Sequence, residues 1–194
     1  TGESGFASLA TLDLSALTSV GGSFDGDGGF ASLTTLDLSA LTSVGGSFSG
    51  NSSGFASLTT LTVTSALLSI GGSVILDAAA LLQASVDNLL VRLAALDGTG
   101  GTTLYQEQTV NISGGTSSPP SATGEAAALV LSQLGTLNLV TLNANFPITA
   151  VSAGVGGTFT IAGDHAAYLG TVATFVEITG STNNNFTFTV ASAV

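Results

Sequence analysis

The first third of the chain repeats one pattern of hydrophobic and polar residues. Residues 5–9 read Gly-Phe-Ala-Ser-Leu, and the same five residues return at 29–33 and at 54–58. The copies therefore recur at intervals of 24 and 25 residues. The agreement extends further, because the 14 residues at 11–24 are identical to those at 35–48. A period of this length is typical of solenoids, in which each copy forms one coil of a stack.

Hydrophobic positions within each copy are spaced so that one coil can turn them all inward. They fall every two to four residues. A single coil cannot bury such a set, whereas stacked coils bury each other. We therefore predict that residues 1–79 form a solenoid. Its predicted core positions are Phe6, Leu9, Leu12 and Leu14 in the first copy, Phe30, Leu33, Leu36 and Leu38 in the second, and Phe55, Leu58 and Leu61 in the third.

Small and polar residues in each copy predict where its strands and corners lie. The alternating segment at 11–15, Thr-Leu-Asp-Leu-Ser, predicts a short strand. Gly21 and Gly22 predict a tight corner, where Cβ atoms would clash. The loops at 25–28 and 49–52 consist of residues that favour turns.

The hydrophobic period changes near Asp77 from that of a coil to that of a helix. From residue 81 to residue 96, apolar residues lie three or four positions apart, which predicts a helix with one buried face. Ser85 is placed to cap this helix, Asp87 to favour its first turn, and Gly98 to follow its end.

A second helix is predicted at 124–134, and strands are predicted beside the helices at 110–112 and 137–140. The apolar end of the last coil needs a cover. We therefore predict that residues 80–143 close the solenoid.

Alternating strands return in residues 144–194. Residues 158–161 and 175–179 alternate, and 186–190 alternate again after a polar turn, which predicts a β-hairpin with a longer loop. A module of this size is marginal alone, so we expect it to dock on the solenoid or on a neighbouring subunit. The predicted interaction and assembly residues are Phe159, Phe175, Phe186 and Phe188. The whole chain is predicted to be mainly β with a few helices.

Charge limits the partners that this chain could bind. Twelve acidic residues stand against a single basic residue, Arg92, for a formal net charge of −11. Nucleic-acid binding needs Lys and Arg to neutralise phosphates, so it is excluded. Anionic membrane surfaces are disfavoured for the same reason, and no apolar run is long enough to insert into a bilayer. The chain has no Cys, which excludes disulfides and thiolate metal sites.

A few acidic residues and the single histidine are the candidates for chemistry. His165 has no G-x-S-x-G motif to work with, so we favour a surface loop position for it. Asp13 and Asp37 occupy equivalent positions, and stacking should place them about 5 Å apart. They form either a cation or sugar ladder or, as we favour, solvated positions between inward leucines. Asp25 and Asp27 are weak calcium candidates in a loop that we interpret as a turn. We predict no catalytic residues and no cofactor.

Two sets of residues resemble a known family of repeat proteins. The Ala-Leu-Thr-Ser-Val-Gly-Gly-Ser segments at 16–23 and 40–47 resemble bacterial and phage leucine-rich repeat surface proteins. Residues 83–90, 109–116 and 120–124 resemble the C-terminal cap that closes such repeats. The resemblance implies a leucine-rich repeat β-solenoid followed by a helix-containing cap with two helices.

The end of the chain is similar to a β module of tailed-phage virion proteins. The similarity is carried by residues 148–152, 157–164, 178–183 and 186–193. It implies that residues 144–194 are a small docking or assembly module in a component of a phage particle.

These observations together predict a non-enzymatic virion structural protein, either a capsid decoration or cement protein or a fibre component. It would lie on the virion surface or outside the cell. Other capsid or tail proteins are the expected partners. Open solenoid ends and sheet edges also invite self-association, for which we favour a trimer. The alternative is a surface or tail adhesin whose solenoid binds host glycan or protein, with a host surface receptor as partner. A polysaccharide hydrolase on a solenoid scaffold is a third, weaker hypothesis.

Overall fold

Short parallel strands dominate the chain, as the repeats predict. In a computed structural model, the described residues are 6–50, 53–96, 108–133, 139–142, 148–151, 159–161, 175–178 and 186–189. The chain folds as two compact units, Thr1–Ala144 and Asn145–Val194. The first unit is a mainly β stack of parallel strands with two helices, which confirms the solenoid-like fold in outline.

Each repeat copy forms one coil with three strands. Coil 1 (residues 6–29) contains β1 Thr11–Asp13, β2 Ser19–Val20 and β3 Phe24–Asp25; coil 2 (residues 30–54) contains β4 Thr35–Asp37, β5 Ser43–Val44 and β6 Phe48–Ser49; coil 3 (residues 55–79) contains β7 Thr60–Thr62, β8 Ser69–Ile70 and β9 Val74–Ile75. Equivalent strands pair in parallel, so that the stack has three sheets: β1-β4-β7, β2-β5-β8, and one that begins β3-β6-β9.

The register of these sheets places each leucine on its repeat counterpart. Leu12 pairs with Leu36, and Leu36 pairs with Leu61. The Leu36 side chain, which has a coil on either side, is fully buried. The predicted stacking of successive copies is therefore confirmed. Because leucines of neighbouring coils share one core, no coil forms that core alone.

Carboxylates end the first strand of coils 1 and 2. The Oδ1 atom of Asp13 accepts a hydrogen bond from the N–H of Ser15 at 2.9 Å, and Asp37 accepts one from Ser39 at the same distance. A side chain that binds the backbone two residues on mimics a turn. The chain therefore leaves the sheet at these positions.

The glycine corners are set by the neighbouring coil. A Cβ atom on Gly45 would collide with the carbonyl oxygen of Gly21, and one on Gly71 would collide with that of Gly45. None of these three glycines has a positive φ. Glycine is needed at Gly45 and Gly71 because two backbones approach closely. The predicted Cβ clash at Gly21 and Gly22 was wrong, because nothing in the described chain lies within 4 Å of a Cβ there.

Phenylalanine rings form two columns along the stack. Phe6, Phe30 and Phe55 stack with centroid distances of 5.7 and 5.9 Å, and Phe24 stacks on Phe48 at 5.1 Å. The Phe55 ring also lies 6.0 Å from that of Phe48. Such contacts are worth about 0.5–1.5 kcal/mol each beyond the buried area, so the rings reinforce the stacking of the coils.

After coil 3, helices replace the first sheet while the third sheet continues. The elements are α1 Gln83–Ala94, β10 Thr109–Asn111, α2 Ala122–Gln133 and β11 Leu139–Thr141. Helix α1 packs on β7 and helix α2 packs on α1. Strand β10 pairs with β9, and β11 pairs with β10, both in parallel. The far side of coil 3 is thus covered by α1 and β10.

Helix α1 forms where its period predicts, but it begins earlier than its expected cap. The N-cap residue is Leu82, which makes no side-chain capping bond, so the prediction that Ser85 caps this helix was wrong. Ser85 is buried instead, and its Oγ accepts a hydrogen bond from the N–H of Leu61 at 3.1 Å. Asp87 lies beyond the first turn and accepts a bond from the N–H of Ser121. Gly98 lies outside the described residues.

Helix α2 begins at Ala122, two residues before the predicted start. The reason is a capping bond, because the Oγ of Ser121 accepts from the N–H of Thr123 at 3.2 Å.

The second unit contains two antiparallel strand pairs. Strand β12 Ile148–Val151 pairs with β13 Phe159–Ile161, and β14 Phe175–Ile178 pairs with β15 Phe186–Thr189. The second pair confirms the predicted hairpin partners. The loop at 180–185 lies outside the described residues.

Candidate functional site

The interior of the stack offers no room for a ligand between coils 2 and 3. The void there is about 10 Å³, at the lower limit of what one water molecule needs. Its lining includes Leu38, Leu61 and Leu89 and is entirely apolar. The described parts of coils 2 and 3 therefore offer a partner their outer surface rather than their interior.

The aspartate ladder predicted from the repeats is present and has a structural use. Asp13 and Asp37 are register partners on neighbouring strands. The next position of the ladder is Thr62, which is not an acid. Hydrogen bonds from the hydroxyl and the N–H of Ser15 lower the pKa of the exposed Asp13 carboxyl, against a slight opposing effect of burial. Both carboxylates thus form turns; Asp13 is exposed, as the favoured interpretation expects, whereas Asp37 is half-buried.

Asp25 and Asp27, the calcium candidates, also form a turn. The Oδ1 atom of Asp25 accepts a hydrogen bond from the N–H of Asp27 at 3.0 Å. The buried Oδ1 of Asp77 has no hydrogen-bond partner within the described part of the chain. No group of three His, Cys, Asp or Glu side chains that could hold a metal ion occurs among the described residues. The loop geometry accordingly gives no support to a calcium site.

Arg92 ties helix α1 to coil 3. Its Nε donates a hydrogen bond to the carbonyl oxygen of Leu67 at 2.6 Å. The sequence leaves this partner open, because neither Asp87 nor Asp97 has good helical spacing to Arg92. A main-chain acceptor one coil away could not be found from spacing within the helix.

Coil 1 carries an open, mainly apolar groove. About 330 Å³ of space lies among Phe6, Leu12, Leu14, Phe24 and Phe30, and Ser23 and Asp25 complete the lining. Among the described residues nothing covers this side of the coil, and the Phe6 side chain is 53% exposed. This end of the stack is therefore the strongest candidate for an interaction surface.

The burial of the predicted core residues differs from coil to coil. Phe55 and the predicted core leucines of coils 2 and 3 are buried, and Phe30 is half-buried. In coil 1 the other three predicted core residues besides Phe6 are half-buried: Leu9, Leu12 and Leu14. The repeat pattern assigns equivalent residues to one core. Coil 1 differs because it pairs with only one other coil among the described residues.

The predicted assembly residues of the second unit lie on strands. Phe159 is in β13, Phe175 is in β14, and Phe186 and Phe188 are in β15. Phe175 and Phe186 are at opposite ends of β14–β15, paired with Thr189 and Ile178 respectively. Their side chains and His165 lie outside what the structure describes. The role of these residues stays a prediction.

Comparison with known proteins adds no relative. No protein-family model, curated protein or solved structure matches the chain. Neither helix in the described part of the chain is long and apolar enough to cross a membrane. The functional argument therefore rests on the residues and their arrangement.

Proposed function

We propose that this chain is a non-enzymatic structural protein of a tailed-phage virion, either a capsid decoration or cement protein or a fibre component. It acts through protein–protein contacts at the virion surface. In this proposal residues 1–79 are a leucine-rich repeat solenoid and residues 80–143 are its C-terminal cap with two helices. Residues 144–194 are the docking module, which uses Phe159, Phe175, Phe186 and Phe188.

The observation that carries the proposal is the filled stack of coils. Between coils 2 and 3 the parallel stack has an apolar interior with a void of only about 10 Å³, so these coils present outer surfaces to a partner. Ligand sites of enzymes are usually concave pockets of several hundred Å³ with convergent polar groups. The groove on coil 1 has the volume, but apolar side chains dominate its lining, which favours a protein partner.

The charge of the chain supports contacts through apolar and main-chain groups. The net charge is −11, and the Nε of the only basic side chain, Arg92, already binds Leu67. With so few cations, ion pairs with an acidic partner cannot supply the affinity. Partner recognition then depends on apolar burial, strand edges and hydroxyl groups.

The proposal is tested by locating the chain on particles. Antibodies raised against the purified chain are applied to purified tailed-phage particles that encode it, and gold label is viewed by electron microscopy. We expect regular label on the capsid or the tail. Particles from a deletion of the gene are the control and should be bare. Absence of label from particles in which mass spectrometry also fails to detect the chain contradicts the proposal.

The adhesin alternative makes a different prediction. A solenoid that binds host glycan or protein should retain host-cell or glycan-array binding as a purified chain. Binding of this kind would favour the adhesin, whereas label on the capsid without host binding favours the structural role. Incubation with host polysaccharide tests the third hypothesis, a polysaccharide hydrolase, because only a hydrolase would shorten the polysaccharide.

A further inference from the structure

Two Asp-Gly steps stand side by side in the loop that joins coil 1 to coil 2. Asp25 precedes Gly26, and Asp27 precedes Gly28. Asp-Gly steps are prone to a spontaneous rearrangement in which the glycine nitrogen attacks the aspartate carboxyl, because glycine has no Cβ beside that nitrogen. The two steps have the same residues, but their surroundings in the structure differ.

The nitrogen of the first step takes part in the pairing of the coils. Gly26 is buried, and its N–H donates a hydrogen bond to the carbonyl oxygen of Ser49 at 2.8 Å. The Oδ1 atom of Asp25 accepts from the N–H of Asp27 at 3.0 Å, which holds this carboxyl in its turn. The Gly26 nitrogen would have to leave its acceptor in coil 2 before it could attack Asp25.

The nitrogen of the second step makes no hydrogen bond within the part of the chain that the structure describes. The turn is closed by the N–H of Gly29, which donates to the carbonyl oxygen of Gly26 at 3.1 Å, whereas the N–H of Gly28 has no acceptor. Asp27 and Gly28 are both exposed. Gly28 has a φ of +66°, and a Cβ there would meet nothing within 4 Å. This nitrogen can therefore approach the Asp27 carboxyl without breaking a contact of the fold.

The free N–H is a property of the turn rather than of the position of coil 1. Coil 3 has the same turn, in which the N–H of Ala79 donates to the carbonyl oxygen of Leu76 at 3.1 Å. Ala78 is the residue equivalent to Gly28. Coil 2 lies in front of coil 3, and the N–H of Ala78 still meets no acceptor among the described residues. A coil stacked in front of this turn therefore leaves the N–H unpaired.

We propose that the Asp27–Gly28 step is a site of spontaneous modification, at which Asp27 converts to isoaspartate while Asp25 is protected. The Gly28 nitrogen attacks Cγ of the protonated Asp27 carboxyl. A bond between the nitrogen and Cγ forms, the nitrogen gives up its proton, and the bond between Cγ and the hydroxyl breaks, so that water leaves. The product of this step is a succinimide ring.

Water then opens the succinimide in one of two ways. Cleavage between the Gly28 nitrogen and Cγ restores aspartate. Cleavage between that nitrogen and the main-chain carbonyl carbon of Asp27 gives isoaspartate, in which the main chain runs through Cβ and Cγ. Water is the only co-reactant, and the composition of the chain is unchanged. The connection between coils 1 and 2 gains one carbon, and a free α-carboxyl group remains there.

The test compares the two steps in the folded and the unfolded chain. The purified chain is incubated at neutral pH in buffer and in concentrated urea, and samples are taken over time. Electron-transfer dissociation of peptides distinguishes isoaspartate from aspartate at each residue, including Asp97, whose Asp-Gly step lies outside the described residues. In the folded chain, isoaspartate at Asp27 should exceed that at Asp25 by at least about tenfold. In urea the two residues should convert at similar rates, because the bond to Ser49 is lost.

Two matched variants place the reaction at one residue. Asp27→Glu keeps the charge but replaces the succinimide with a larger and less favourable ring, so isoaspartate in this loop should be lost. Asp25→Glu makes the same change at the protected step and should leave the conversion of Asp27 unchanged. Amide hydrogen exchange by NMR gives an independent reading, in which the N–H of Gly28 should exchange at least about tenfold faster than that of Gly26.

The inference does not depend on the proposed virion role, and three results would overturn it. Equal conversion of Asp25 and Asp27 in the folded chain would show that the bond to Ser49 gives no protection. Conversion of Asp27 in urea but not in buffer would show that the turn prevents ring closure. An isoaspartate signal from this loop that persists in Asp27→Glu would place the reaction at another residue. If circular dichroism shows that a variant is unfolded, the comparison of buffer and urea on the parent chain decides.

Discussion

Individual residues at the coil corners are constrained by the coil next to them. Gly21 and Gly45 have the same neighbours in sequence, yet only Gly45 faces another backbone at its missing Cβ. Asp13 similarly acts through Ser15 to end a strand, although it is an exposed carboxylate. The chemistry of a repeat position therefore depends on which coil contains it.

Substitutions of Gly45 and Gly21 should differ in their effect on stability, because only Gly45 faces another backbone. Gly45→Ala places a methyl group against the carbonyl oxygen of Gly21, and we expect it to lower the free energy of unfolding by about 1–3 kcal/mol. Gly21→Ala meets open space and should stay within about 0.5 kcal/mol of the parent. Urea unfolding curves of the two variants measure the difference. Equal losses would contradict the close approach of coils 1 and 2.

The Asp13 carboxyl should titrate below its ordinary pKa of 3.8, because the Ser15 hydroxyl and N–H stabilise the charged form. The stability that it contributes is present above pH 3.8 and is lost as the pH falls through the lower, folded-state pKa. Ser15→Ala removes the hydroxyl and should raise the pKa of Asp13. Carbon-13 NMR titration measures this change, with Ser65→Ala as the control. An unchanged Asp13 pKa in Ser15→Ala would rule out the hydroxyl as the cause.

Among the elements, helix α1 is held to the coils by polar as well as apolar contacts. Its buried face contains Val86, Leu89, Leu90 and Leu93. Beside this face, Ser85 accepts from the backbone of β7, and Arg92 donates to the carbonyl of Leu67. A helix cannot continue a β-ladder, so these side chains replace some of the hydrogen bonds that a further strand would make with coil 3.

Removing the Ser85 hydroxyl should destabilise this junction. In Ser85→Ala the buried N–H of Leu61 loses its acceptor, and we expect the free energy of unfolding to fall by about 1–3 kcal/mol. Ser65→Ala, at an exposed serine in coil 3, should change it by less than about 0.5 kcal/mol. The two unfolding midpoints in urea provide the comparison. If Ser85→Ala is as stable as Ser65→Ala, the hydrogen bond to Leu61 contributes nothing.

Across the whole first unit, stability depends on how many neighbours a coil has. In stacked repeats, each unit is stabilised by its contacts with adjacent units. Coil 2 lies between coils 1 and 3, and coil 3 lies between coil 2 and the α1–β10 segment. Coil 1 has one described neighbour, which is why its apolar residues stay half-exposed.

Two leucines with the same flanking residues test this dependence. Leu36→Ala leaves a cavity between two coils and should cost about 2–5 kcal/mol of unfolding free energy. Leu12→Ala removes a half-buried side chain and should cost clearly less. Chemical unfolding at low protein concentration, where any pairing of chains is dissociated, gives both values. A Leu12→Ala loss as large as that of Leu36→Ala would mean that coil 1 is covered in solution.

The repeat, and with it the stack, could be predicted from the order of the residues. Phe6, Phe30 and Phe55 mark the period, and a period of 24 or 25 residues with closely spaced apolar positions can bury its leucines only against another copy. The period of α1 and the alternation of β14 and β15 were likewise predictable, because helix and strand periodicities are local properties of the chain.

The roles of equivalent residues, in contrast, depend on contacts made in three dimensions. No local pattern shows that Ser85 accepts a hydrogen bond from Leu61 rather than capping its helix, or that Arg92 binds the carbonyl of Leu67, because both partners lie about one coil away in sequence. Identical residues have identical local preferences, and only their neighbours in space make Leu36 a core residue and leave Leu12 half-buried.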